Sequence, residues 1–249
     1  MTKEVFLHAG MHKTGTTSIQ DYLSKNRKEL ARRGYAVMGD LAAKPSWWSG
    51  RFSRSTNCFR IAHLAIDPAL QTPMRLRGIA KAMSVAERDA AIADVTRAIH
   101  KCAAPRIIIS SEAFSFLRSD DEHALLRRIL GDHNIRPILF FRNKTDWLKS
   151  WRSEMAKHME AADSPRTTTA PCRLPDEAWL LDHAAVRRFW GPEANVLSYD
   201  ETVAEHGSVI PAFLEALGLA PENCPVWDKR WLNRSPTTPA ADRPTIVPT

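Results

Sequence analysis

The feature that most constrains this chain is a short apolar run near its start, followed by a glycine-bearing turn and a helical pattern. The run EVFL leads into HAGMHKTGTTS, and IQDYLSKNRKEL follows with apolar residues at helical spacing. A strand, a turn and a helix in this order form a phosphate-binding loop, because backbone N–H groups and the helix dipole favour an anion there. The sequence therefore predicts an anion site at residues 8–18.

This loop differs from the usual nucleotide-binding pattern, G-x-x-x-x-G-K-[ST], in the place of its lysine. Gly10 and Gly15 have the required spacing, but Thr16 follows the second glycine and the lysine lies earlier, at Lys13. An NTPase also needs an aspartate after a neighbouring strand to help hold Mg²⁺. The third predicted strand ends in Ser-Ser-Glu instead, so the pattern favours a metal-free reaction on a different phosphorylated donor.

Strand-like and helix-like segments alternate along the rest of the chain. The predicted strands are EVFLHA, YAVMG, RIIISSE, RPILFFRN and NVLSYDE, with a continuous helix over 16–32 and loops with short helices over 40–80. This alternation predicts a single-domain, P-loop-like α/β fold, a parallel sheet of about five strands with helices on both faces. We expect the domain to span 1–233 and the Pro- and Thr-rich residues 234–249 to form an extended or disordered tail.

Composition narrows the class of protein. The apolar fraction of 44% is that of an ordinary globular domain, and the net charge of +7 suits an anionic ligand. No basic block reads as a nucleic-acid arm, and the four cysteines are too widely spaced for a zinc or disulfide framework. With no signal-peptide pattern and no apolar run of about 20 residues, we expect a soluble cytoplasmic protein without a membrane span.

Two motifs carry a resemblance to a known family. GMHKTGTTSIQ resembles the 5′-phosphosulfate loop of sulfotransferases that use 3′-phosphoadenosine 5′-phosphosulfate (PAPS). In that family a strand ends in an arginine, and a serine follows eight residues later on the next helix. ILFFRNKTDWLKS supplies Arg142 and Ser150 at this spacing. The whole chain resembles bacterial sulfotransferase-like proteins with H-x-G-x-x-K-T-G-T-T-S-I-Q, over residues 4–220.

The resemblance implies a PAPS-dependent sulfotransferase that transfers a sulfuryl group to a hydroxyl or amine, releases adenosine 3′,5′-bisphosphate and needs no metal. Arg142 and Ser150 are then expected to contact the 3′-phosphate, and the loop to hold the 5′-phosphosulfate. The implied donor-binding residues are His12, Lys13, Thr14, Gly15, Thr16, Thr17, Ser18, Arg142 and Ser150.

Catalysis needs a cation for the leaving phosphate and a base for the acceptor proton. Lys13 is the expected cation. Glu112 is the expected base, because it closes the third strand, which we expect to lie next to the strand that leads into the loop. His63, in the irregular segment, is the second candidate.

Alternative functions and the acceptor stay open at this point. A P-loop kinase-like enzyme with a displaced lysine and an inactive adenosine-bisphosphate-binding protein also fit the loop. Residues 40–80 and 156–176 are the expected acceptor-facing segments. Their basic residues are compatible with an anionic acceptor such as a carbohydrate, and Trp47 and Trp48 could stack on a ring. The sequence identifies neither the acceptor nor the oligomeric state.

Overall fold

The computed structural model describes residues 2–46, 50–160 and 178–225. In chain order, its strands are β1 (Glu4–His8), β2 (Tyr35–Val37), β3 (Leu41–Ser46), β4 (Gly50–Phe52), β5 (Arg106–Ser110), β6 (Asn134–Phe141) and β7 (Asn195–Ser198). Five of them form a parallel sheet in the order β2-β5-β1-β6-β7, while β3 and β4 form a separate antiparallel pair. The predicted fold class is confirmed.

The helices connect these strands and cover both faces of the sheet. They are α1 (Thr16–Lys25), α2 (Arg27–Arg32), α3 (Phe59–Ala65), α4 (Pro73–Leu76), α5 (Val85–Lys101), α6 (Asp120–Leu130), α7 (Lys144–Glu160), α8 (His183–Trp190), α9 (Tyr199–His206) and α10 (Ile210–Ala216). Three short 3₁₀ turns cover Glu112–Phe116, Trp179–Leu181 and Pro221–Asn223.

Strand β1 lies at the centre of the sheet and pairs with both β5 and β6. Its side chains alternate between two apolar layers. Val5 and Leu7 pack with helices α3, α5 and α6, whereas Phe6 packs with α1 and α10. Since all five strands are parallel, the residues that follow β1, β5, β6 and β7 meet at one edge, where α/β sheets bind their ligands. The fold therefore brings the loop, Glu112 and Arg142 to the same edge.

Two predicted element boundaries are wrong. The continuous helix expected over 16–32 is divided at Asn26, whose backbone leaves the helical region at φ −106° and ψ 15°. Its side-chain amide instead donates to the carbonyl of Tyr22. The fifth strand ends at Ser198, where NVLSYDE turns into helix α9, because the Ser198 hydroxyl accepts a hydrogen bond from the Glu201 amide and caps the helix.

The segment 40–80 contains more regular structure than the expected loops and short helices. Besides α3 and α4 it holds the hairpin of β3 and β4, which starts beside Gly39. A Cβ on Gly39 would lie 2.0 Å from the carbonyl oxygen of Ser53, so only glycine allows this close approach. Buried Asp40 then anchors α3 by accepting hydrogen bonds from the Arg60 and Ile61 amides.

Some expectations fall on other parts of the chain. The tail 234–249, most of the segment 156–176, and Trp47 and Trp48 lie outside the described residues. Cys58, Cys102 and Cys224 are free thiols. Among the described residues, no helix combines the length and apolarity needed to cross a bilayer.

Candidate active site

The loop after β1 is shaped by two residues in the left-handed region of backbone space. Lys13 has φ 66° and Gly15 has φ 81°. The buried hydroxyl of Thr14 lies between them and donates to the carbonyl of Met11 at 2.6 Å. Helix α1 begins at the next residue, Thr16, and no side chain caps its N terminus within the described structure. The loop therefore places the uncapped N terminus of α1 at the carboxyl-terminal edge of the sheet.

Three consecutive carbonyl groups of the loop are held by side-chain donors. The Met11 carbonyl accepts from Thr14, the His12 carbonyl from Trp147 Nε1 at 2.6 Å, and the Lys13 carbonyl from Arg142 Nη1 at 3.1 Å. In a trans peptide the N–H group points opposite to the C=O group of the same unit, and no described peptide is cis. The amides of residues 12–14 therefore point away from these donors, as an anion-binding loop requires.

Two features favour glycine at position 15, the left-handed backbone and the close approach of Val209. We expect Gly15→Ala to destabilise the protein by about 1–2 kcal/mol for the left-handed backbone alone, and further because its Cβ would lie 2.8 Å from Val209 Cγ2. Urea unfolding measures this loss.

Gly207→Ala is the matched control for that substitution. Gly207 has a similar backbone, with φ 67° and ψ 6°, and a Cβ there would have nothing within 4 Å. An equal loss of stability in both variants would show that the contact with Val209 does not matter.

Lys13 forms an ion pair across the edge of the site. Its Nζ lies 3.3 Å from Oε2 of Glu154 on α7, and the lysine side chain is only 18% exposed. Lys13 is thus a partly buried cation of the loop, paired with a carboxylate of α7. Glu154 was not predicted, although its spacing of four residues from Ser150 places both on one face of a helix.

Arg142, which follows β6, contacts the loop directly. Besides its bond to the Lys13 carbonyl, its guanidinium lies over the Tyr199 ring at 4.9 Å from the centroid. Its Nε is 4.0 Å from Asp200 Oδ1 and has no hydrogen-bond partner within the described structure, although it is buried. Ser150 is a buried residue of α7, two turns further along. The two predicted 3′-phosphate residues thus lie on adjoining elements beside the loop.

Glu112 lies at the predicted edge, and its carboxylate is held by two amides. Gln20 Nε2 donates to Oε2 at 3.1 Å and Asn57 Nδ2 donates to Oε1 at 3.2 Å. Ser111 in turn donates to the Asn57 side-chain carbonyl at 2.8 Å. This network ties the segment before α3 to α1 and β5. Gln20 belongs to the quoted loop motif, whereas nothing in the local pattern around Asn57 indicates this contact.

His12 lies among these charged groups. Its ring packs against Phe116 and Trp151, with both centroid distances 5.1 Å, and its buried Nε2 has no hydrogen-bond partner among the described residues. Burial lowers the pKa of His12; the charges of Glu112 and Glu154 raise it, and that of Lys13 lowers it. His12 is therefore a neutral imidazole at the junction of the two carboxylates and the lysine.

The remaining loop residues are divided between structure and surface. Thr16 is buried and its hydroxyl has no hydrogen-bond partner within the described residues, while Thr17 is exposed and Ser18 is half-buried. Beneath the loop, fully buried His8 shares a hydrogen bond of 2.8 Å with Ser110, and burial lowers its pKa to about 3. The hydroxyl of Thr14 is used inside the loop, so Thr14 can offer a ligand only its amide.

His63, the second candidate base, lies on α3. Its Nδ1 bonds to the carbonyl of Phe59 at 2.6 Å and its Nε2 to the hydroxyl of Thr72 at 2.7 Å. Burial lowers the pKa of His63 to about 4. Both ring nitrogens are engaged, and the contacts join α3 to the N terminus of α4.

A pH-dependent stability measurement tests this role of His63. The folded state binds its proton more weakly than the unfolded state, so its stabilising contribution is complete above the ordinary pKa of 6.5 and is lost as pH falls towards 4. We expect His63→Gln to be destabilising near neutral pH. The deficit should shrink by up to about 3 kcal/mol at about pH 4, as measured by urea unfolding. A deficit independent of pH would contradict the role, as would loss of turnover at unchanged stability.

A cavity of about 510 Å³ adjoins Arg142 at the ends of β6 and β7. Its wall includes Lys144, His183 and Arg187 as well as the acidic Asp200. A second cavity of about 820 Å³ lies between α5 and α6, next to His133 at the opposite edge of the sheet. Ligands of parallel sheets bind beyond the carboxyl ends of the strands, so the first cavity is the one relevant to the loop. Within the described residues, no group of three or more His, Cys, Asp or Glu side chains could hold a metal ion.

The comparisons with known proteins agree with this architecture. No family model matches the chain, and no curated protein matches it in sequence. The structure is similar to the crystal structure of a sulfotransferase from Alicyclobacillus acidocaldarius, with a TM-score of 0.53 and 14% sequence identity. The match covers 95% of this chain and 88% of that chain. The chain thus has the α/β fold of that sulfotransferase, and at this identity the likeness shows the fold alone.

Proposed function

We propose that the protein is a sulfotransferase that moves the sulfuryl group of PAPS to a hydroxyl or amine of an acceptor. The observation that carries the proposal is the anchoring of the loop carbonyls by Thr14, Trp147 and Arg142. It leaves the loop amides and an uncapped helix N terminus for an anion, next to a partly buried lysine. The name of the structurally similar protein supports the same class of reaction.

The residues present fit the donor. Arg142 has a buried Nε without a hydrogen-bond partner in the described structure, and a guanidinium can bind a phosphate through two N–H groups. With Ser150 it would hold the 3′-phosphate, while His12, Lys13, Thr14, Gly15, Thr16, Thr17 and Ser18 would surround the phosphosulfate. Lys13 and the loop amides then stabilise the negative charge that the leaving phosphate gains.

The acceptor segment is less cationic than its sequence suggests. Arg51 forms an ion pair with Asp94 at 3.0 Å, and Arg60 forms one with buried Asp40 at 3.3 Å. The charge of Arg60 is therefore neutralised within the protein, whereas Asp94 is shared between Arg51 and Arg97. We propose that the described residues of the segment 40–80 face a hydroxyl-bearing acceptor, without assigning that acceptor a negative charge.

Calorimetry in the presence of EDTA tests the donor. We expect adenosine 3′,5′-bisphosphate to bind without metal and more tightly than ATP. Binding of ATP that requires Mg²⁺, with no binding of the bisphosphate, would favour a kinase-like enzyme instead. A screen of acceptors with ³⁵S-labelled PAPS then detects transfer. Bisphosphate binding without transfer to any acceptor or to water would indicate an inactive nucleotide-binding protein.

A further inference from the structure

The ion pair between Lys13 and Glu154 has a consequence for the reaction. The Lys13 backbone has φ 66° and its carbonyl accepts from Arg142, while its ammonium group lies 3.3 Å from Glu154 Oε2. The same ammonium group is the one expected to meet the phosphosulfate. An anionic donor bound beside Lys13 would therefore attract its ammonium group away from Glu154.

Helix α7 directs Glu154 towards the transfer site. Trp147 donates to the loop at His12, and Trp151 packs against the His12 ring. Ser150 and Glu154 are four residues apart, so they lie on one face of α7, with Glu154 one turn beyond the predicted 3′-phosphate contact. The Glu154 side chain is 34% exposed, so solvent and an acceptor can reach it.

The other carboxylate of the site, Glu112, is held by two side-chain amides. Each oxygen of Glu112 already accepts a hydrogen bond, from Gln20 or from Asn57. These two contacts fix the carboxylate between α1 and the segment before α3. Glu112 is therefore suited to holding Gln20 and Asn57 in place.

We propose that Glu154 is the general base of sulfuryl transfer, paired with Lys13 in the free protein and released from it when the donor binds. This assignment depends on the function proposed above and replaces Glu112 as the expected base. In the step, the acceptor oxygen forms a bond to sulfur while the bond from sulfur to the bridging phosphate oxygen breaks. The electron pair of the broken bond stays on that phosphate oxygen beside Lys13, and the acceptor proton passes to the Glu154 carboxylate. The anionic donor, as a like charge, favours this proton uptake.

The test compares Glu154→Gln with Glu112→Gln in the full chain. Bisphosphate binding is measured by calorimetry, and turnover by release of labelled sulfate from PAPS, with water as the acceptor. We expect Glu154→Gln to lower turnover by roughly 100-fold or more and to bind the bisphosphate at least as tightly as wild type, since the competing carboxylate is gone. The acidic limb of the turnover-against-pH profile should disappear in this variant, whereas Glu154→Asp should recover part of the rate. Glu112→Gln should keep the acidic limb.

A matched control removes a carboxylate elsewhere. Glu4, at the opposite edge of the sheet, pairs with Arg106 at 3.3 Å, and Glu4→Gln should change neither binding nor turnover. Near-normal turnover of Glu154→Gln would overturn the proposal, as would a clear loss of bisphosphate affinity. Loss of turnover and of the acidic limb in Glu112→Gln alone would return the base to Glu112. Wild-type protein that does not bind the bisphosphate would instead refute the sulfotransferase function itself.

Discussion

Replacing Lys13 with alanine is expected to lower turnover by roughly 100-fold or more, while the affinity for adenosine 3′,5′-bisphosphate falls much less. The ammonium group counters charge that grows on the leaving phosphate as the bond to sulfur breaks, so it contributes more in the transition state than in the bound ground state. The backbone at this position already has φ 66° with a non-glycine residue, so alanine adds no new backbone strain. Labelled-sulfate release measures turnover, and calorimetry measures binding.

Lys25 provides the matched control for Lys13. It lies in the last turn of α1, and its ammonium group pairs with Asp21 on the surface at 2.7 Å. Lys25→Ala removes the same side chain and charge from the same segment of the chain, and it should leave turnover unchanged. If Lys13→Ala lowered binding and turnover by the same factor, the lysine would be a donor-binding residue without a role specific to the transition state.

The double variant Lys13→Ala/Glu154→Gln tests whether the side chains of Lys13 and Glu154 are energetically coupled. Lys13→Ala alone removes the ammonium group that lies 3.3 Å from the Glu154 carboxylate, and this carboxylate then faces an anionic ligand. Repulsion between these like charges should weaken bisphosphate binding, and adding Glu154→Gln should restore part of it. Independent effects of the two substitutions would show that the pair is not coupled in the bound state.

The fold was predictable from the sequence because its signals are local. The apolar run of β5 indicates a buried parallel strand. At the start of α5, Ser84 and Glu87 form a capping box, a local sequence signal, and both of its hydrogen bonds are present. Once the strands are known to be parallel, Glu112 and Arg142 must share an edge with the loop.

The contacts that complete the site were not predictable in this way. Glu154 pairs with Lys13 across 141 residues of sequence, and Trp147 reaches the loop carbonyl across 135. Such pairings depend on how α7 rotates against the loop, which is decided by the packing of Trp147 and Trp151 and not by any local pattern. The hairpin of β3 and β4 was not predicted, because it depends on a close approach between Ser53 and Gly39, which are separated in sequence.

Replacing Arg142 with alanine is expected to remove the preference for ligands that carry a 3′-phosphate. Hydrogen bonds between charged groups contribute about 1.5–3 kcal/mol, so the affinity for adenosine 3′,5′-bisphosphate should fall roughly 10- to 100-fold. Adenosine 5′-phosphate lacks the 3′-phosphate, and its affinity should change little. The ratio of the two affinities, measured by calorimetry, is the quantity that tests the assignment.

The ratio is needed because Arg142 has a second contact. Its Nη1 donates to the Lys13 carbonyl, so alanine also removes one of the three hydrogen bonds that hold the loop. This loss should lower the affinity for both nucleotides equally. Arg136→Ala is the matched control, since it removes a guanidinium from the other end of β6, where Arg136 pairs with Glu193 at 2.9 Å. It should change neither affinity. A phosphate contact of Arg142 lowers only the affinity for the nucleotide that carries the 3′-phosphate. If Arg142→Ala lowered both affinities by the same factor, Arg142 would be a loop anchor and the 3′-phosphate would bind elsewhere.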